Sequence, residues 1–400
     1  MAELISVDEA LSLVLKNTAV LKPERKRIED ALLGVLAEDV KSPSDSPPFP
    51  QSSMDGYAIR FDDLKRNNTL LIQGINQAGT DTGLELLKGG AIRIFTGAMV
   101  PNGADTIVIQ ENVTVKDGAI SVIDMDAVKK NAFIREQGKQ LKKNKVALVA
   151  GHVLNAGSIG YLTSIGVDRV KTISKPSIAI ITVGNELQTP GKNLKAAQIY
   201  ESNSYTLQGL LQEMRLSAHS ISKIEDDPEK LNSAFRKAIR QNDVVIITGG
   251  VSVGDYDFVA NTLNLMQVNE IFHGVAQKPG KPMYFGTVKD KLIFALPGNP
   301  ASVMVCFYQY LYPALRKMTG HKDLGLLTAI LDCTTDYQKK PGLTHFLKSK
   351  ATGDQVEILE GQESFMLSSF ALANCLVQLP ASSNGVKAND KVVVQYISPL

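Results

Sequence analysis

The sequence predicts a multidomain α/β and β protein on three observations. From residue 177 onward, apolar strand-like runs alternate with stretches of helical period, the pattern of a doubly wound parallel sheet. Residues 70–125 and 326–400 consist instead of short strand-like runs broken by turn residues, as in separate β domains. A chain of 400 residues also exceeds what one hydrophobic core normally holds.

Composition narrows the function. Apolar residues make up 44% and charged residues 21%, and 43 basic against 41 acidic residues leave a net charge of +2. That balance argues against nucleic acid or an anionic membrane as the principal partner. Cys306, Cys333 and Cys375 lie far apart with no C-x-x-C pair, which fits a reducing cytosol and not a disulfide framework or a cysteine-rich zinc site. The amino terminus carries acids inside its apolar periodicity, unlike a signal peptide, and no apolar stretch is long enough to span a bilayer. A soluble, cytoplasmic protein is expected.

In chain order, Ser6 and Glu9 form a capping box ahead of a helix with apolar residues at 7, 10, 11, 14 and 15. A second amphipathic stretch, 25–36, reads as another helix. The segment with Pro43, Pro47, Pro48 and Pro50 excludes regular structure and is ordered only if other segments hold it. Short strands fill 70–125, and the basic run 139–145 reads as a solvated turn. Residues 151–170 have helical periodicity from Ala156 and are expected to pack back on the first two helices. The expected organisation is a discontinuous, mainly helical linker domain (1–45 plus 139–174) and a β-rich insert (46–138), then an α/β domain (175–325) and a β barrel (326–400).

Within the α/β part, 243–257 (DVVIITGGVSVGDYD) runs from a strand apolar on both faces into a glycine loop and a helix start. That arrangement either places backbone N–H groups around a ligand at the strand's carboxyl end or is an ordinary tight turn. Two further strand ends, ITVGNEL at 181–187 and LPGNPA at 296–301, carry loops of similar character. Right-handed crossovers put all of these loops on one sheet edge. Asn299 suits an N-cap and Pro300 the first helical position, which offers a positive helix end to an oxyanion. Glu186, Asp226, Asp227, Asp255 and Asp257 supply carboxylates near these ends, and carboxylates around a phosphate imply Mg²⁺ between them. Asp227, just before Pro228, is equally a natural N-cap. Lys278 and Lys281, in the rigid KPGKP turn, read as an oxyanion clamp or as solvated lysines, and His273 as a packed histidine. The chain contains no P-loop, H-E-x-x-H motif or Ser/His/Asp set.

Six motifs in order, SMDGYAI, FTGAMVPNGAD, ITVGNEL, ITGGVSVGDYDF, KPGKP and LPGNP, resemble those of the molybdopterin molybdotransferases, the MoeA proteins, to which the gephyrin E domain is similar. The resemblance covers essentially the whole chain. It implies a MogA-like α/β domain with the helical, insert and barrel domains around it, and an elongated homodimer. The implied reaction is Mg²⁺-dependent insertion of molybdate into adenylylated molybdopterin with release of AMP. It further implies catalytic roles for Asp55 and Thr96, acting across the dimer, and for Glu186, Asp226, Asp257 and Lys278, with Glu186 and Asp257 as metal ligands. Gly249, Gly250 and Ser252 would lie against the pterin, with Lys281, Asn299, Ser364 and the structural prolines Pro297 and Pro300 nearby. The resemblance also counts Lys348 among the residues that bind the anionic substrate, although it stands where the family has an arginine, and Gly274 stands where some members have a lysine. Contact with a MogA-type adenylyltransferase and with molybdoenzyme chaperones is also implied. The alternatives are a pterin- or partner-binding scaffold without turnover and a tungstate-preferring homologue.

Overall fold

A computed structural model of the chain describes residues 4–251 and 258–397, which divide into two compact units, one of residues 1–24 and 173–400 and one of residues 25–172. The larger unit is built on a six-stranded sheet ordered Ser220–Ile224, Ile178–Val183, Val244–Thr248, Lys291–Leu296, Tyr284–Val288, Asn269–His273. The first four strands are parallel, Tyr284–Val288 runs opposite to them, and Asn269–His273, antiparallel to Tyr284–Val288, runs in their direction again. The central strands are apolar throughout because helices cover both faces. Ile178, Ile180, Val244, Ile246 and Phe294 face a core shared with Leu207, Leu211 and Val303. The alternate residues, Ala179, Ile181, Val245, Ile247 and Ile293, face Leu231, Phe235, Val259 and Leu263.

At the amino edge of this sheet, the Asp243 carboxylate accepts from the Ser177 amide at 2.8 Å and the Ser177 hydroxyl at 2.7 Å. These bonds fix the relative height of two neighbouring strands. Register then carries that alignment to the opposite edge, where Thr182, Thr248 and Leu296 end side by side.

In the same unit five strands close into a barrel: Thr328–Cys333, Thr344–Thr352, Gln355–Ile358, Cys375–Leu379 and Lys391–Tyr396. Closure comes from Thr344–Thr352, which pairs with both Gln355–Ile358 and Cys375–Leu379. Its outward neighbour is the short strand Gln277–Lys278, so Lys278 sits opposite His345. Barrel residues Phe346, Phe370, Leu376 and Ile397 belong to the same core as the sheet and the helix Pro300–Cys306, which binds barrel and sheet firmly together.

The smaller unit centres on another six-stranded sheet, ordered Thr106–Ile109, Gly56–Ile59, Gly90–Ile94, Thr69–Asn76, Ala119–Val122, Val113–Lys116. The proline-rich segment is held as expected: Ser46 N–H donates to the Leu141 carbonyl at 2.8 Å, and Asp45 accepts from the Lys143 amide at 2.8 Å.

Three expectations are corrected. Residues 25–36 do not form a helix; Pro23–Arg27 is a strand and Ile28–Asp30 a single 3₁₀ turn. Leu33 has φ 61°, which ends any right-handed helix there, and Leu32 is exposed although it falls on the helical stripe. The helix Val7–Lys16 forms, with Ser6 accepting from the Glu9 amide at 3.1 Å, but it packs Val7, Ala10 and Val14 into the core of the larger unit. In the smaller unit Ala156–Ser164 packs instead on Ile28, Ala31 and Leu36. Across 25–45 and 139–172 it is the one α-helix among the described residues, so the mainly helical character expected there is not found.

Phe235, fully buried on the second face of the parallel sheet, tests this architecture. Phe235→Ala is expected to remove about 3–5 kcal/mol from the unfolding free energy of the larger unit, measured by equilibrium denaturation.

Candidate functional site

The loops at the carboxyl edge of the parallel sheet are built around a backbone crossing too tight for side chains. Gly249 has φ 84°, and a Cβ on it would lie 2.2 Å from the Val183 carbonyl oxygen. Its amide donates to Leu296 O at 3.2 Å. A Cβ on Gly298 would lie 3.6 Å from Gly249 Cα. The approach that excludes a side chain is thus that of Gly249 to Val183, with Gly298 at ordinary contact distance beside them. Asn203 holds the third loop down, donating from Nδ2 to Gly298 O at 2.8 Å.

Carboxylates gather at the neighbouring loops. Asn185 and Asp226 bond reciprocally, the Asn185 amide to Asp226 Oδ2 and the Asp226 amide to Asn185 Oδ1, both at 3.1 Å. Glu186, exposed, folds its carboxylate back over Gly184, where a Cβ would meet Oε2 at 2.6 Å. Asp227 has the structural role allowed for it: its Oδ1 caps Pro228–Gln241 by accepting from Glu229 and Lys230 amides at 3.0 Å. Among the described residues no group of three or more His, Cys, Asp or Glu forms a metal site by itself. Ser252, Asp255 and Asp257 lie outside the described residues.

The third loop departs from plain capping. Asn299 occupies the N-cap position and Pro300 the first helical position, yet Asn299 makes no side-chain cap bond. Its Nδ2 donates instead to Ser364 Oγ at 2.9 Å, and the Ala301 amide donates to Ser364 O at 3.0 Å. A barrel loop thus satisfies a helix-start donor that Asn299 would ordinarily serve.

The KPGKP turn is tied to the same helix. Gly280, at φ 94°, approaches it so closely that a Cβ would sit 2.6 Å from Cys306 Sγ. Gln277 Nε2 donates to Pro279 O at 3.0 Å while its Oε1 accepts from the Tyr310 hydroxyl. Lys278 is exposed and lines an open groove of 1010 Å³ with Tyr337, Lys339, Lys340, His345 and Lys387. Burial, with the charges of Lys339 and Lys278, pushes His345 down to about 4, so this imidazole is neutral at pH 7. Lys281 is half-buried in the same turn, and His273 packs edge-on against Tyr284 at 5.7 Å between ring centroids, as expected.

Lys348 differs from its expected role as an anion-binding residue. It is 2% exposed, and its Nζ donates to the carbonyls of Gly361, Glu363 and Met366, the last two at 3.1 Å. All three ammonium protons are thereby engaged.

In the smaller unit Asp55 and Thr96 meet, although 41 residues separate them. Asp55 Oδ1 accepts from the Thr96 amide and hydroxyl, each at 2.8 Å. These bonds, with the Arg93 charge nearby, hold the Asp55 carboxyl below the usual aspartate range. Arg93 lies over the Tyr57 and Phe95 rings at 5.1 and 4.8 Å and donates to Gly56 O at 3.1 Å. The sequence reading missed Arg93, Asn203 and Gln277. Lone polar residues inside apolar strands and at strand or helix ends (Arg93 in GAIRI, Gln277 before KPGKP) were the available signal.

A glycine-lined edge flanked by carboxylates and an amide-bearing helix start, on a sheet fused to a barrel, offers the donors that a phosphorylated or oxyanionic ligand requires. Residues 5–166 match the MoeA N-terminal region (domain I and II), 179–317 a probable molybdopterin binding domain, and 331–397 the MoeA C-terminal region (domain IV). The chain is 34% identical to the molybdopterin molybdenumtransferase of Haemophilus influenzae, covering 99% of this chain and 100% of that one. It is 31% identical to the Staphylococcus aureus (strain COL) enzyme of the same name, covering 97% and 94%. A solved molybdopterin biosynthesis MoeA protein from Pyrococcus horikoshii superposes over 100% of both chains with a TM-score of 0.86 and 29% identity. The chain belongs to the MoeA family, a family of transferases. No helix among the described residues is long and apolar enough to cross a membrane.

Asp55 offers a direct check on the geometry. Its folded midpoint lies below the unfolded one, so its contribution to stability is complete above about pH 4 and is lost as pH falls through the folded midpoint. NMR titration is expected to show that low midpoint in the wild type, and Thr96→Val is expected to move it back toward the ordinary aspartate value.

Proposed function

We propose that this chain is a molybdopterin molybdotransferase, which inserts molybdate into adenylylated molybdopterin and releases AMP in molybdenum cofactor biosynthesis. The observation that carries this reading is the convergence of Asp226, Glu186, Gly249, Gly298 and the Pro300 helix start on one sheet edge, in a chain that matches the MoeA family over nearly its full length. Such an edge binds a phosphoanhydride and orients it. A molybdate oxygen attacks the adenylyl phosphorus and the anhydride bond breaks, freeing the pterin's phosphate. The two dithiolene sulfurs then bond molybdenum and displace AMP, which leaves with that oxygen, so no protein nucleophile is required and positioning and charge neutralisation suffice.

Donor chemistry fits Mg²⁺. Glu186 presents an exposed carboxylate, and a hard cation that keeps several waters and bridges phosphates needs only one or two protein carboxylates. Glu186, with Asp257, would hold the ion, which when bound would offset phosphate charge. Asp226 orients the Asn185 loop beside it. Lys278, exposed on the rigid turn, supplies a point charge to the oxyanion. Asp55 and Thr96 complete the site from the second chain of a homodimer, the backbone and hydroxyl of Thr96 keeping Asp55 ionised. A MogA-type adenylyltransferase that supplies the substrate and a molybdoenzyme chaperone that accepts the product are the partners this chemistry calls for.

Purified protein given Mg²⁺, molybdate and adenylylated molybdopterin is expected to release AMP, and EDTA to stop it. Glu186→Gln should lower turnover on the order of a hundredfold. Mixed Asp55→Asn and Glu186→Gln chains should recover turnover through heterodimers, each with one intact site. A folded dimer that binds the pterin nucleotide but yields no AMP would leave only the scaffold reading. No recovery on mixing would remove the shared site.

A further inference from the structure

Lys348 is the most deeply buried ammonium described in the chain, and it does not face the candidate site. Its strand, Thr344–Thr352, lies in the barrel wall. The side chain runs over Phe370, with Nζ 5.7 Å from the ring centroid, and ends among the carbonyls of Gly361, Glu363 and Met366. Burial alone lowers the pKa of this lysine from its usual value, and the Glu363 charge partly restores it. An ammonium has three protons to donate, and three carbonyls take them. No donor is left for an oxyanion.

The three carbonyls belong to one short loop. Gln362 closes its other side: Oε1 accepts from the Lys348 amide at 3.0 Å, while Nε2 donates to Lys348 O at 2.8 Å and to Leu359 O at 2.7 Å. Ser369 adds a hydroxyl donor to Gly361 O at 2.8 Å. The loop is therefore gripped from beneath by a charge and from the side by an amide. It has one outward task visible in the structure. Ser364, between the gripped Glu363 and Met366, takes the Asn299 side chain on its hydroxyl oxygen and the Ala301 amide on its carbonyl. Because Ser364 Oγ accepts from Asn299, its own O–H remains a donor, held at the start of the Pro300 helix.

We propose that Lys348 is a positioning residue that acts through Ser364: its ammonium gathers the 361–366 loop so that Ser364 caps the Pro300 helix and presents its hydroxyl to the anionic ligand. This inference rests on the molybdotransferase reading for the ligand's identity and on the carbonyl cage for the mechanism. It also accounts for a lysine where relatives have arginine by the resemblance above. Three converging carbonyls suit a compact ammonium, and a guanidinium with five N–H groups can serve the same acceptors.

The experiment combines AMP binding by calorimetry with hydrogen exchange at the Ala301 amide. Lys348→Met is expected to weaken AMP by about tenfold, the worth of a well-placed hydrogen bond, and Ser364→Ala by a similar factor. The double variant should bind no worse than Lys348→Met, since both changes remove one interaction. Lys348→Arg should restore affinity. Ala301 exchange should quicken in Lys348→Met but not in Ser364→Ala, which keeps the carbonyl that Ala301 uses. Should Lys348→Met fail to fold, Gln362→Ala loosens the same loop without stranding the cage and should show part of the same loss, again without adding to Ser364→Ala. Additive losses, or unchanged Ala301 exchange in a folded loop variant, overturn the proposal. If wild-type protein binds no AMP, the molybdotransferase reading fails, while the exchange data still decide whether Lys348 positions Ser364.

Discussion

The contact between Val183, Gly249 and Gly298 is the constraint on which the candidate site depends. Three strand ends lie so close that a single added methyl group at Gly249 would sit 2.2 Å from a carbonyl oxygen. With no side chains between them, the loops leave the sheet at one level and can enclose a ligand with backbone. The carboxylates of Glu186 and Asp226 and the amide end of the Pro300 helix flank this gap because the strands beneath are in register. The register is set at the other edge by Asp243 and Ser177. Chemistry at one edge thus rests on a polar clamp a strand's length away.

The same residue type does opposite work at two positions because of what surrounds it. Lys278 projects from a turn whose carbonyls accept from the Gln277 side chain and Cys306, with Gln277 itself held by Tyr310, so its base is fixed while its exposed ammonium pairs with no carboxylate among the described residues. Lys348 is buried among carbonyls, so its charge is spent on the fold. Burying an ammonium is costly unless its hydrogen bonds are replaced, and the three acceptors replace them. The result is order in a loop that has no regular structure.

Much of the larger unit was legible from the sequence because its strands are buried on both faces and therefore read as unbroken apolar runs. Ile178–Val183 and Val244–Thr248 have no polar face to confuse the period. The stretch 25–36 misled for the converse reason: its apolar residues fall at helical intervals and Ile28, Ala31, Val35 and Leu36 are buried, but a strand, a 3₁₀ turn and the positive φ of Leu33 bury them without a helix. The first helix was legible as a helix, while its partner was not, since an amphipathic face says that a helix packs and not on what. In the smaller unit, Asp55 and Thr96 were found through motif order alone, because their pairing spans 41 residues. The Lys348 cage left no trace in the sequence, as its acceptors are backbone carbonyls that every residue carries.

These supports meet on one helix. Gln277 and Gly280 bind the lysine turn to Cys306 and Tyr310, and Ser364 binds the barrel loop to Asn299 and Ala301. The helix is itself packed between sheet and barrel through Ala301, Val303 and Val305. An anion drawn to Lys278 and one drawn to the helix start therefore meet groups mounted on the same rigid element. In the reaction proposed above, donors already fixed in place need not turn toward the charge as it shifts from the anhydride bridge to the departing phosphate. Gln277, buried in this region, bonds both the turn and Tyr310 and so fixes where the turn carries Lys278.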